Sequence, residues 1–148
     1  MSVAIIGFGT SQLVKSSPRG IAAFALDAAV AALSDARLAR DEIDGYVGAP
    51  FATNAGSPHA EAGDEISLKT MAGLMGLTLT WGADLYRRYP TDMVTAAAHS
   101  LIAGTSRYVL GLRAMYALPG GGYGTGAAHA AYGSQQFTRP YGFDTLGA

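Results

Sequence analysis

LTLTWGADLYRRYPTDMVTAAAHSLIAGTSRYVLGL, residues 77–112, predicts a strand, a turn, a helix and a second strand in close succession. The strand prediction for Leu77–Trp81 rests on leucines alternating with β-branched threonines. Thr91 to Ile102 predicts a helix, and Gly104 suits the C′ position after its end. Tyr108–Leu112 then predicts another buried strand. A helix joining two strands is typical of a parallel sheet, because parallel strands need a crossover connection.

The turn inside this stretch carries Tyr86, Arg87 and Arg88 directly before the predicted helix. A helix N-terminus has partial positive charge, so two arginines there are unfavourable by roughly a few tenths of a kcal/mol. Either both arginines point away to solvent or a partner, or they bind an anion such as a phosphate or a carboxylate. Tyr86 offers either aromatic contact area or a proton donor for a developing oxyanion. We therefore predict a substrate-binding role for this turn.

Upstream of residue 77 the sequence also alternates between strand and helix patterns. The predicted elements are a strand buried on both faces at Val3–Phe8, a mostly buried helix at Gly20–Leu38, a strand at Gly45–Ala49, and a helix at Glu65–Leu74 with Asp64 as N-cap and Gly76 at its end. This alternation predicts an α/β fold with a mostly parallel sheet, right-handed crossovers and helices on both faces. We expect an α/β core at 1–113, followed at 114–148 by a glycine-rich loop region and tail without a core of its own.

Composition excludes several classes of function. The chain has 148 residues, a net charge of −1 and no cysteine. Without cysteine it cannot have disulfides, thiolate metal sites or a cysteine nucleophile. Sparse charge without a basic stripe argues against nucleic-acid binding. No apolar run is long enough for a membrane span and no export signal is recognisable, so we expect a cytoplasmic protein.

Other motifs give weaker indications. Gly7-Phe8-Gly9 follows a predicted strand, but the third glycine and the immediate helix of a dinucleotide site are missing. The glycines at 120–126 could wrap a phosphate or form a flexible loop over a cleft, and they lack the lysine of a P-loop. Tyr123 lies among them and is a second candidate contact for substrate. The three histidines, His59, His99 and His129, show no metal-ligand spacing, so we predict no metal site and no tightly bound cofactor.

An ordered set of segments carries a resemblance to a known family. The matching segments are Val3–Thr10, Ala28–Leu33, Leu38–Gly45, Ala96–Gly104, Tyr108–Leu110 and Phe137–Gly142. Together they resemble the N-terminal half of the thiolase superfamily, in particular the sterol-carrier-linked thiolases and the lipid-transfer-protein relatives that act as aldolases in steroid side-chain breakdown. No single motif is specific, but the order is kept over nearly the whole chain.

The resemblance implies a half-fold that is incomplete without a second half. In such enzymes the acyl-accepting cysteine occupies the turn that here contains Tyr86, Arg87 and Arg88, and its place falls near Arg87. Arginine cannot accept an acyl group because it stays protonated. The family also implies a homo-oligomer, or a heteromer with a C-terminal thiolase half or with an OB-fold and zinc-ribbon partner.

The expected function is that of a thiolase-like protein of acyl-CoA or steroid-CoA side-chain metabolism without thiolytic activity of its own. With a partner or a C-terminal half, the resemblance implies retro-aldol cleavage of a coenzyme A thioester, a lyase reaction, with a tyrosine as proton donor or acceptor. Transfer of an acyl group, as in the thiolases, would need the absent thiol. The alternatives are a non-catalytic subunit that binds acyl-CoA or a partner, and a ketosynthase-like condensing enzyme.

Overall fold

Three short parallel strands and three α-helices make up the described part of the fold. A computed structural model describes residues 2–14, 17–49, 66–85 and 90–114. The elements in chain order are α1 (Ile21–Ala36), β1 (Gly45–Gly48), α2 (Leu68–Met75), β2 (Trp81–Asp84), α3 (Pro90–Ile102) and β3 (Val109–Leu112), with a 3₁₀ turn at Arg40–Glu42 before β1. The predicted fold class, an α/β fold with a parallel sheet between helical layers, is confirmed.

The sheet has the strand order β2-β1-β3, and both pairings are parallel. Gly45, the first residue of β1, aligns with Trp81 of β2 and with Val109 of β3. At the other end Gly48 aligns with Asp84 and Leu112. The strands therefore begin and end at the same level, which creates one amino edge and one carboxyl edge.

One core lies between the sheet and the pair α1 and α2. Its buried side chains are Ile21, Ala25, Ala29, Ile43, Tyr46, Ile66, Met71, Met75, Leu110 and Leu112. The buried face of α1 is made largely of alanines, which let the helix approach the sheet closely. Most residues of α1 are buried or half-buried, as expected of a mostly buried helix, and Val30, at 62% exposed, is the exception among its large apolar side chains.

A smaller core covers the other face of the sheet beneath α3. Val47, Ala49 and Met93 are its buried members, with Trp81, Ala83, Leu85, Ala96, Ala97 and Val109 packed around them. Because side chains alternate between the faces of a strand, Tyr46 and Gly48 face α1 and α2 while Val47 and Ala49 face α3. This alternation decides which residues at the carboxyl edge can meet.

Asp44 holds the amino edge together. Its carboxylate accepts hydrogen bonds from the backbone N–H groups of Arg107 and Tyr108, each at 2.9 Å. Its carbonyl oxygen accepts bonds from the N–H of Thr80 at 2.8 Å and from the Thr80 hydroxyl at 3.0 Å. Asp44 precedes β1, Thr80 precedes β2 and Tyr108 precedes β3, so one residue links the starts of all three strands.

The strand boundaries correct one sequence-based prediction. A strand was expected at Leu77–Trp81, but the ladder begins at Trp81 and continues to Asp84. Residues 77–80 connect α2 to β2 instead, and the N–H of Leu77 bonds to the carbonyl of Ala72 at the helix end. Gly76 ends α2 with a φ of 62°, as predicted, and the N-cap is Ser67, whose hydroxyl accepts from the N–H of Thr70. The predicted N-cap Asp64 lies outside the described residues.

The predicted first strand is also corrected. Val3–Phe8 was expected to be a strand buried on both faces, but it forms no ladder with any described strand. Ile5 and Phe8 are 77% and 74% exposed. Gly7 and Gly9 nevertheless contact α1 so closely that an added Cβ would lie within 2.5 Å of a backbone atom. The segment is thus held against the helix, and none of the described strands pairs with it.

We predict that Asp44→Ala lowers the free energy of unfolding by about 2 kcal/mol, because the N–H groups of Arg107 and Tyr108 lose their acceptors. Urea denaturation followed by circular dichroism measures this change. Asp41→Ala is the matched control, since Asp41 is an exposed acid on the neighbouring 3₁₀ turn and should change stability by less than about 0.5 kcal/mol. Equal effects of the two substitutions would contradict the role assigned to Asp44.

Candidate functional site

The carboxyl edge of the sheet is the candidate functional site. Ligands of open α/β folds bind outside the carboxyl ends of the strands, because the loops that follow the strands gather there. Gly48, Asp84 and Leu112 are the last residues of the three strands and lie in register. Residues 86–89 follow Leu85 directly and lead to Pro90, the first residue of α3.

A polar cluster lies at this edge on the side of α1 and α2. The Tyr46 hydroxyl donates to the carbonyl oxygen of Ile66 at 2.8 Å. The Asp84 carboxylate accepts from the N–H of Leu68, the first residue of α2, also at 2.8 Å. Gly48 separates the two side chains, and a Cβ there would lie 2.9 Å from the Tyr46 hydroxyl oxygen and 3.0 Å from Asp84 Oδ1. Only glycine leaves room for both groups.

Burial controls the protonation of both groups. Burial raises the pKa of Asp84 above its ordinary value of 3.8, and the hydrogen bond from Leu68 opposes this shift. Burial, with a smaller contribution from the nearby Asp84 charge, raises the pKa of Tyr46 well above its ordinary value. Tyr46 therefore stays protonated and acts as a donor to Ile66. Both side chains are thus hydrogen-bonded to backbone groups around the start of α2, and these bonds hold the start of the helix at the carboxyl edge of the sheet.

Arg113 occupies the same edge on the opposite face. It follows Leu112, so strand alternation places it on the side of α3. Met93, in the first turn of α3, packs near Gly111, two residues before Arg113 on that face. The Nε atom of Arg113 is buried, and none of the described residues accepts a hydrogen bond from it. A buried N–H without an acceptor is costly, which makes Arg113 a candidate donor to an anionic or carbonyl oxygen.

The substrate contacts predicted from sequence lie outside the described residues. These are Tyr86, Arg87 and Arg88 in the turn before α3, and Tyr123 in the glycine-rich region. Their predicted roles remain predictions. The residue before this stretch, Leu85, directly follows the carboxyl end of β2, and the residue after it, Pro90, begins α3. Of the three histidines, His99 is described and is an exposed residue of α3.

Sequence reasoning missed Tyr46, Asp84 and Arg113. A usable signal existed, because a charged residue directly after an apolar strand tends to mark the carboxyl edge of a parallel sheet. Arg113 follows Val109–Leu112 in this way. Asp84 was overlooked because the strand was expected to end at Trp81, which left Asp84 in a loop. Tyr46 was counted as part of a strand and given no role.

Two absences in the described part of the chain concern metals and membranes. Among these residues no three acidic or histidine side chains cluster closely enough to hold a metal ion. None of the described helices has the length and apolar character needed to cross a bilayer.

The fold is similar to that of a solved structure of an Ltp2-ChsH2(DUF35) aldolase, with a TM-score of 0.61 and 24% sequence identity. The similarity covers 96% of this chain and 34% of the aldolase chain, so this chain spans about a third of that chain's length. No protein-family model matches the chain. No curated protein matches it either. At this identity the likeness bears on the fold alone, and the predicted relationship to thiolases and aldolases stays a prediction.

We predict that Asp84→Asn and Asp84→Ala separate the hydrogen bond of this residue from its charge. Asn keeps an oxygen for the N–H of Leu68, whereas Ala removes it and should cost about 1 kcal/mol of stability. Because the folded pKa of Asp84 is raised, the folded state holds more protons than the unfolded state just above pH 3.8. The unfolding free energy of the wild type, relative to Asp84→Asn, therefore falls as pH rises from 3.8 through the raised pKa.

Urea denaturation of the wild type and both variants over a series of pH values measures these effects. Above the raised pKa the difference between wild type and Asp84→Asn should become constant. An Asp84→Asn variant that follows the wild-type pH dependence throughout would contradict the assigned burial. A variant Asp84→Ala as stable as Asp84→Asn would contradict the capping role at Leu68.

Proposed function

We propose that this chain is a thiolase-like, partner-dependent component of an aldolase that cleaves a carbon–carbon bond in a coenzyme A thioester, with a steroid-CoA or related acyl-CoA side chain as substrate. The observation that carries the proposal is the aldolase likeness over 96% of the chain, taken with the absence of any cysteine. A thiol is needed to accept an acyl group in thiolytic cleavage. Retro-aldol cleavage needs no thiol.

Retro-aldol chemistry requires proton transfer and stabilisation of an enolate. A base takes the proton from the β-hydroxyl of the thioester, and the carbon–carbon bond breaks to give a ketone or aldehyde. The bonding electrons pass to the α-carbon and the thioester carbonyl as an enolate, which an acid then protonates. Donors aimed at the developing oxyanion supply much of the acceleration in reactions of this kind.

Among the described residues, Arg113 suits one of these roles, whereas Asp84 and Tyr46 suit neither the acid nor the base. Asp84 and Tyr46 bond to Leu68 and Ile66, so neither is available as the base. Arg113 has a buried N–H without an acceptor at the same edge, which suits contact with a thioester oxygen or an enolate. The proposed acid or base is a tyrosine, for which Tyr86 and Tyr123 are the candidates from sequence. Arg87 and Arg88 are proposed to bind phosphate groups of coenzyme A.

A partner is part of the proposal because the chain spans about a third of the length of the aldolase chain that it resembles. The remaining catalytic groups would then come from a C-terminal half or a separate subunit. The family resemblance implies two candidates for this partner, a second subunit with an OB fold and a zinc ribbon or a second copy of this chain. Cytoplasmic location remains an expectation from sequence.

We predict that the purified chain, alone or with its partner, binds a short-chain acyl-CoA and that Arg87→Gln combined with Arg88→Gln weakens this binding about tenfold, or about 1.4 kcal/mol. Isothermal titration calorimetry measures the affinity. Arg107→Gln is the matched control, because Arg107 is an exposed arginine at the amino edge of the sheet. An equal loss in the control would indicate a general charge effect and would contradict a local phosphate site.

A second prediction separates the enzyme from its rival function. The complex should release a ketone or aldehyde from a β-hydroxyacyl-CoA, and either Tyr86→Phe or Tyr123→Phe should lower kcat at least about a hundredfold. Mass spectrometry of the products measures the reaction. Tyr108→Phe is the control, since Tyr108 directly precedes β3 at the amino edge. The rival is a non-catalytic subunit that binds acyl-CoA or a partner, and the bonding of Asp84 and Tyr46 to backbone groups favours it. Tight binding with no turnover would establish the rival.

A further inference from the structure

We draw no further inference here: the strongest candidate, the exposed apolar surface of the segment Val3–Phe8 beside α1, carries none, because nothing in the described part of the structure shows what covers it.

Discussion

The hydrogen bonds of Asp44 are the constraint on which the sheet depends. Three strands of four residues each have few ladder bonds, so their alignment needs support at one end. Asp44 supplies it by bonding to backbone groups immediately before β2 and β3 while it leads into β1. Because the amino ends are tied at one level, the carboxyl ends at Gly48, Asp84 and Leu112 also fall at one level. The candidate site is a consequence of that alignment.

Alignment and strand alternation then divide the carboxyl edge into two sides. On the side of α1 and α2, Asp84 and Tyr46 bond to the backbone around the start of α2, and Gly48 leaves them room. These groups fix the geometry of the edge. On the side of α3, the buried Nε–H of Arg113 has no acceptor among the described residues. The second side is the one with unused hydrogen-bonding capacity.

The sequence predicted the helices and the parallel order better than the strands. The helices α1 and α3 are long and have clear ends, so their bounds were close to those observed. The strand β2 reads Trp-Gly-Ala-Asp and has no β-branched residue, which explains why the stronger Leu77–Trp81 pattern displaced the prediction. Val3–Phe8 has the composition of a buried strand, but pairing also requires a neighbour, and composition cannot reveal one. Asp84 and Tyr46 could not be paired from sequence because their proximity depends on the register.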